Sequence, residues 1–409
     1  MMTQALKLLS YIALGMGLLL LRAWPRLMNP EVWIEDGTLN IYGFVNEGIV
    51  NFFSPVGGYL VLVPKLITFI SLSISFFYYP WISTLLAWGF GIFVFVVIAR
   101  APTYLKGGLL LAIACFLIPS DIECFGLPMY SFWWTAPLLY VLVFWKVQEQ
   151  LSFRVFLLII SSLSSPICII TLPLFWLRAY FFKKIRGELI IAVLATLCVA
   201  IQGIYILRDS HVNLFNPGKT FLIIPKFLGA YAAGNIAPSL NWLFGISILI
   251  FLIWAIIQKR NLVQYTLLYL LVATIGTSIY RVDPTILNHI DSGPRYFFLP
   301  FILLSWLLLQ IVLDANLKWI RMTGIIFLTA SVINMFPVMT RTHARMHWTD
   351  QIFRCLTVEQ SRYDFPILHD GTETDLFYIR FTGDQCRKLL EKDFLYNLRN
   401  HYYRLRGLQ

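Results

Sequence analysis

Two adjacent carboxylates, Glu35 and Asp36, stand just past the first hydrophobic stretch of a chain that is otherwise mostly apolar. Neighbouring carboxylates repel, so one of them can keep a raised pKa and act as a general base. A carboxylate costs roughly 2.5–3.5 kcal/mol at a bilayer centre, so the loop beside a span is where functional charge is kept. The plainer alternative is that Asp36 caps an interfacial helix and Glu35 is solvated. A second polar stretch runs from Arg281 to Arg295 and holds Asp283, Asn288, His289 and Asp291. Guanidinium suits bidentate contact with phosphate, and negative charge builds on a phosphate oxygen when its bond breaks. Arg295 opens an apolar run, so it can reach a lipid headgroup. A snorkelling arginine at the interface is the alternative. His289 reads as a hydrogen-bonding loop residue that could touch a sugar.

Two further groups complete the candidates. The stretch 208–239 carries Arg208, His211, Lys219 and Lys226. Residues 223–233 read as an interfacial piece on which Lys226 could approach a lipid phosphate, with Lys219 in a turn beside it. The alternative is a solvated loop with ordinary charges. Asp121 and Glu123, followed by Trp133 and Trp134, offer carboxylates and an aromatic platform for a sugar. They can do so only if they face the same side as the acid pair. Tyr59 lies where the first polar loop returns to the membrane.

The elements that must position these residues are membrane helices. The 409 residues are 58% hydrophobic and 13% charged, with mean hydropathy +0.72. Soluble domains average about 25% charged residues. Apolar runs recur near 5–24, 59–79, 82–99, 107–119, 131–145, 155–177, 188–207, 240–257, 262–280, 296–313 and 318–338. An all-α polytopic protein of about eleven (10–12) transmembrane helices is therefore expected. The run 107–119 is short. Ser161–Pro166 interrupts 155–182, which suggests a re-entrant pair. Thr38 to Phe53, within a first outer loop of about 25–58, reads as a helix lying in the interface.

Lys and Arg at 178–186, 259–260 and 318–321 mark one side as cytoplasmic by the positive-inside rule. Arg100, Lys106, Lys146 and Arg154 conflict with eleven simple crossings, unless the Pro166 break makes a hairpin and one early span fails to cross. The net charge of +11 then fits anionic lipid headgroups, and nucleic acid is not expected. Residues 340–409 form a polar tail, a small cap after a membrane domain at 1–339. Turns are expected at Asp364–Pro366 and Asp370–Thr372, and one amphipathic helix over 384–398. Cys355 and Cys386 in the tail could pair in an oxidising compartment.

An acidic pair after span one, an interfacial helix, and the element Gly58-Tyr59-Leu60-Val61-Leu62-Val63-Pro64-Lys65 together resemble the GT-C membrane glycosyltransferases. The chain is most similar to bacterial members that carry Glu-Asp-Gly, here Glu35-Asp36-Gly37. The later element Ser292-Gly293-Pro294-Arg295-Tyr296-Phe297 also resembles that family. The resemblance implies transfer of a sugar from a polyprenyl-phosphate carrier to a glycan or glycolipid acceptor at the extracytoplasmic face of a bacterial cytoplasmic membrane. By that match the base is Asp36 or Glu35, and which of them acts is open. Some relatives use a divalent metal; this chain shows no metal cage, and no cofactor is expected. A flippase or a polymerase of lipid-linked saccharides is the competing class. A transporter places charge deep within its spans, whereas here charge gathers in loops. No Walker-type phosphate loop and no Gly-x-Ser-x-Gly elbow occurs.

Overall fold

A computed structural model describes residues 2–208, 217–289, 293–339, 343–358 and 362–405. His211 and Asp291 lie outside these. Seven helices are long and apolar enough to cross a bilayer: Gln4–Met28, Tyr79–Arg100, Arg186–Arg208, Pro238–Lys259, Leu262–Arg281, Arg295–Asp314 and Lys318–Val338. The chain is a helical integral membrane protein. Four shorter apolar helices, Leu62–Ile74, Met129–Val143, Leu151–Ser162 and Cys168–Phe181, accompany them. Of the about eleven spans expected, seven are therefore long enough to cross, and the other apolar runs form shorter helices. The run 107–119 yields only the seven-residue helix Gly108–Ala114.

The short pieces resolve the conflict of charges. Leu151–Ser162 and Cys168–Phe181 rise about 18 and 21 Å at 1.5 Å per residue, well under a 30 Å hydrocarbon core. Both open ends meet at Glu188: Arg154 lies 2.8 Å and Arg178 lies 2.9 Å from its carboxylate. The pair is thus a hairpin that turns at Leu163–Pro166. The helix Leu62–Ile74 also fails to cross. Near its start the Lys65 ammonium donates to Asn51 Oδ1 at 3.0 Å, and just past its end the Ser75 hydroxyl donates to Asp393 of the tail at 2.8 Å.

All the basic loops then gather at one end. Lys146 N–H donates to Pro102 O (2.7 Å), Arg178 to the carbonyls of Val143 and Trp145, and Lys106 pairs with Asp314 at 2.6 Å. Lys259 donates to Asn316, and Arg321 to Ala315 O. We call this the basic end, and the opposite one the tail end.

Residues 115–128 form the least regular buried stretch, with every side chain but Leu117 buried. Irregular backbone at membrane depth needs internal donors. Two buried arginines of the first helix supply them. Arg22 donates to the carbonyls of Phe116 (3.1 Å), Ile118 (2.8 Å) and Ser120, and Arg26 to those of Ile122 (2.5 Å), Glu123 (3.3 Å) and Phe125 (2.8 Å). This ladder fixes the height of Glu123.

The tail corrects two expectations. Asp364–Pro366 is not a turn: it lies in strand β1 (Arg362–Leu368), antiparallel to β2 (Leu376–Thr382), with the turn at 369–375. The helix 384–398 is two, Gly383–Glu391 and Phe394–Leu405. Asp393 breaks them, because its carboxylate accepts from Tyr396 N–H at 2.8 Å and from Ser75 and Phe77. Cys355 and Cys386 form a disulfide. About seventy residues supply only a marginal core of their own. The tail instead shares one, in which Phe365, Ile367, Ile379 and Phe381 pack with Val32 and Ile41 of the first loop and Phe76 and Tyr79 beyond it. The segment 223–233 departs from its interfacial reading too: Phe227, Leu228 and Ala230–Ala233 are buried.

Candidate active site

The acid pair sits on a helical turn that continues as the π-helical Asp36–Ile41 and the helix Tyr42–Glu47. Three contacts fix that turn. Leu368 N–H of the tail donates to Val32 O at 3.0 Å, and Trp33 bridges Leu368. Gly37 lies so close to Ile367 and Ile379 that an added Cβ would meet them at 2.6–2.7 Å. From the membrane side, Asn51 is held by Lys65 and itself donates to Asn40 O at 3.3 Å.

Successive residues on a helix do not share a face, and the structure separates the two acids accordingly. Asp36 points inward and is 1% exposed, with only the Met129 backbone and the Asn40 side chain near its carboxyl and neither in good hydrogen-bond geometry. Burial first, and then the charge of Glu35, hold its carboxyl well above the usual carboxylate range. Glu35 points the other way. Its Oε1 accepts from the Tyr130 hydroxyl at 2.9 Å, and the Arg295 guanidinium lies 3.6 Å away.

Glu123 completes the group. The Tyr130 hydroxyl lies 2.8 Å from Glu123 Oε1, and Arg295 donates to the same oxygen at 3.0 Å and to the Tyr130 oxygen at 2.8 Å. One hydroxyl hydrogen cannot serve both carboxylates at once, so the Tyr130 bond is shared or switches. Arg295 is also 5.5 Å from the Tyr130 ring centroid. Two carboxylates therefore face one guanidinium and one phenol. Glu35 and Arg295 are 23% and 31% exposed, against 10% for Glu123, so the network opens toward solvent on the Glu35–Arg295 side.

A groove of about 250 Å³ lies beside this network, reached through Tyr296, whose ring centroid is 5.9 Å from the Arg295 guanidinium. Tyr59, Trp133 and Tyr296 line the near part, and Pro166, Ile169, Ile170 and Leu299 the apolar remainder. Arg281 also lines it, with its guanidinium 5.8 Å from the Tyr59 ring centroid and bonded to Gly57 O. Burial pushes the Tyr59 hydroxyl up, so it stays a neutral donor. The Ser-Pro turn of the short hairpin forms the far wall, which gives that break in the membrane a use.

The other sequence candidates lie elsewhere. Trp134 is core: its indole N–H donates to Cys124 O at 2.7 Å, and its ring packs on Phe116 and Phe298. Asp121 caps the turn before Glu123, accepting its N–H at 2.8 Å. Lys226 donates to the carbonyls of Thr285 (2.8 Å) and Leu287 (2.6 Å), tying down the arginine loop. Lys219 pairs with Asp283 at 2.7 Å. His289 is buried against Phe297, with its ring close over Gly234. Sequence reasoning placed Tyr130 at the head of the aromatic run after Asp121 and Glu123 but missed that it links both acids to Arg295. A tyrosine seven residues after Glu123 in an aromatic run carries no signal of its own. It missed Arg22 and Arg26 as well, although two arginines at the end of an apolar helix could have prompted the question of what they hold. Comparison with protein families, curated proteins and solved structures finds no match to this chain.

Proposed function

We propose that this protein is an integral-membrane glycosyltransferase of the GT-C type, which moves a sugar from a polyprenyl-phosphate carrier to a glycan or glycolipid acceptor. The observation that carries the reading is the meeting of Glu35 and Arg295, 3.6 Å apart, beside an apolar groove with Arg281 on its wall. Glu35, rather than Asp36, is the base in this reading, because Asp36 is buried and favours its neutral form. Glu35 takes the acceptor hydroxyl proton as the acceptor oxygen bonds to the sugar C1. The bond from C1 to the phosphate oxygen breaks, and its electron pair stays on the phosphate, which Arg281 and Arg295 stabilise. A single displacement of this kind inverts the anomeric centre. The groove takes the first isoprene units, and Glu123 and Tyr130 hold Arg295 in place.

Two features support an extracytoplasmic site in a bacterial cytoplasmic membrane. The Cys355–Cys386 disulfide fits an oxidising compartment at the tail end, and the basic loops gather at the opposite end. The test is transfer from a panel of polyprenyl-phosphate sugars by protein reconstituted in liposomes. Transfer that is lost in Glu35→Gln at equal protein abundance supports the reading. Full transfer in that variant sinks the base assignment, and no transfer from any donor sinks the activity.

A further inference from the structure

A second cleft, of about 860 Å³, is separate from the membrane groove. It lies between the tail and the first loop. One wall is the outer edge of β2, which pairs with no other strand among the described residues. The other is the stripe Thr38, Tyr42 and Asn46, four residues apart along the helix that starts with the acid pair. Its far end is closed by Gln385, whose amide donates to Asn46 at 3.1 Å. Its near end adjoins the turn of the acid pair: Leu376 lines the cleft and pairs with Leu368, which bridges Trp33.

The lining is cationic. Arg362, Arg380 and Lys388 face Asp384 alone. Arg380 is answered by Asp364 at 3.0 Å, and Asp384 is already taken by Arg387 at 2.6 Å. Arg362 and Lys388 have no ion pair among the described residues, so the cleft carries uncompensated positive charge. Tyr378 and Phe377, 52% and 41% exposed, add rings on which a sugar face can stack. The size falls in the range of ligand clefts, roughly 300–1,000 Å³.

We infer that this cleft binds the acceptor, and that the acceptor is a saccharide chain bearing carboxylate or phosphate groups. The inference rests on the transferase reading above but is tested by binding alone. Full-length protein is placed in nanodiscs of neutral lipid, and a fluorescent hexagalacturonate is titrated against maltohexaose as the uncharged control. The charged chain is expected to bind at least tenfold tighter, with affinity falling as salt rises. Arg362→Gln/Lys388→Gln should remove most of that preference while the Cys355–Cys386 disulfide stays closed to alkylation. Lys219→Gln, which removes a cation outside the cleft, should bind like the wild type, which separates this site from general surface charge. Equal affinity for the two sugars, or an unchanged double variant, overturns the inference. So does binding only when anionic lipid replaces neutral lipid, which would make the cleft a membrane contact. If hexagalacturonate binds as described but no donor supports transfer, the cleft stands and the proposed activity falls.

Discussion

The two ends of the bundle each hold a carboxylate–arginine network, and they are built for opposite purposes. At the basic end one acid, Glu188, is gripped by two arginines, Arg154 and Arg178, and none of the three side chains is more than 10% exposed. At the tail end two acids, Glu35 and Glu123, share one arginine, and the opening is partly wet. The first has arginine in excess and water excluded, so its acid is held fully paired and fastens the hairpin. The second has acid in excess, a phenol shared between two carboxylates and access to solvent, which is what the proposed proton transfer requires. Counting charged pairs would treat them alike; stoichiometry and exposure tell them apart.

That contrast can be broken by substitution. The largest effect is expected from Glu35→Gln, which should lower transfer by about 10²- to 10⁴-fold while leaving the thermal midpoint within a degree or two. A variant that unfolds instead would place Glu35 in the same class as Glu188. Conversely, Glu188→Gln should destabilise by about 3–5 kcal/mol, since it leaves buried arginines uncompensated. Thermal melts in detergent read this out, and a stable Glu188→Gln with reduced turnover would reverse the assignment. Next, Arg295→Ala should reduce transfer by about 10²- to 10³-fold, the scale for losing one donor to developing charge. Lys219→Ala, which only breaks the pair with Asp283, should change the rate less than threefold, and similar effects of the two would dissolve the distinction. Opening the tail disulfide, which spans 31 residues, should loosen the tail by about 3–4 kcal/mol on a chain-entropy estimate. Protease sensitivity of the tail with and without reductant measures it. The smallest effect is expected at Asp36: Asp36→Asn should leave transfer nearly unchanged, because its carboxyl already favours the neutral form. Loss of activity there equal to that of Glu35→Gln would return the base to the buried acid.

The seam between the first loop and the tail should also respond to pH. Met346 N–H donates to Glu31 at 3.0 Å, and burial pushes the Glu31 carboxyl up to about 7. An acid whose folded pKa is raised binds its proton more tightly folded than unfolded. The stability it contributes is complete below its ordinary value of 4.5 and is lost as pH rises through about 7. The melting point should therefore fall between pH 5 and 8, and Glu31→Gln should flatten part of that slope. An identical slope in the variant would show that other groups control it.

The membrane class, the break at Pro166 and the basic loops were legible in the chain, because apolar runs, Ser-Pro clusters and charges in an apolar background are local signals. The count of crossings was not. Whether Leu62–Ile74 crosses depends on Asn51 and Asp393 holding both its ends at the tail end, and no local pattern records that. The roles of Tyr130, Arg22 and Arg26 were not legible for the same reason, since all their partners but Glu123 lie more than ninety residues away. The interfacial reading of 223–233 was overturned because Phe227, Leu228 and Ala230–Ala233 pack inside the bundle, which depends on distant helices.

By itself the sequence determined which residues could carry charge beside a membrane and what chemistry their side chains allow. Only the tertiary structure decided which of two neighbouring acids faces the guanidinium and which is sealed away. Adjacent positions on a helical turn diverge, and the burial of Asp36 is imposed by elements from distant parts of the chain.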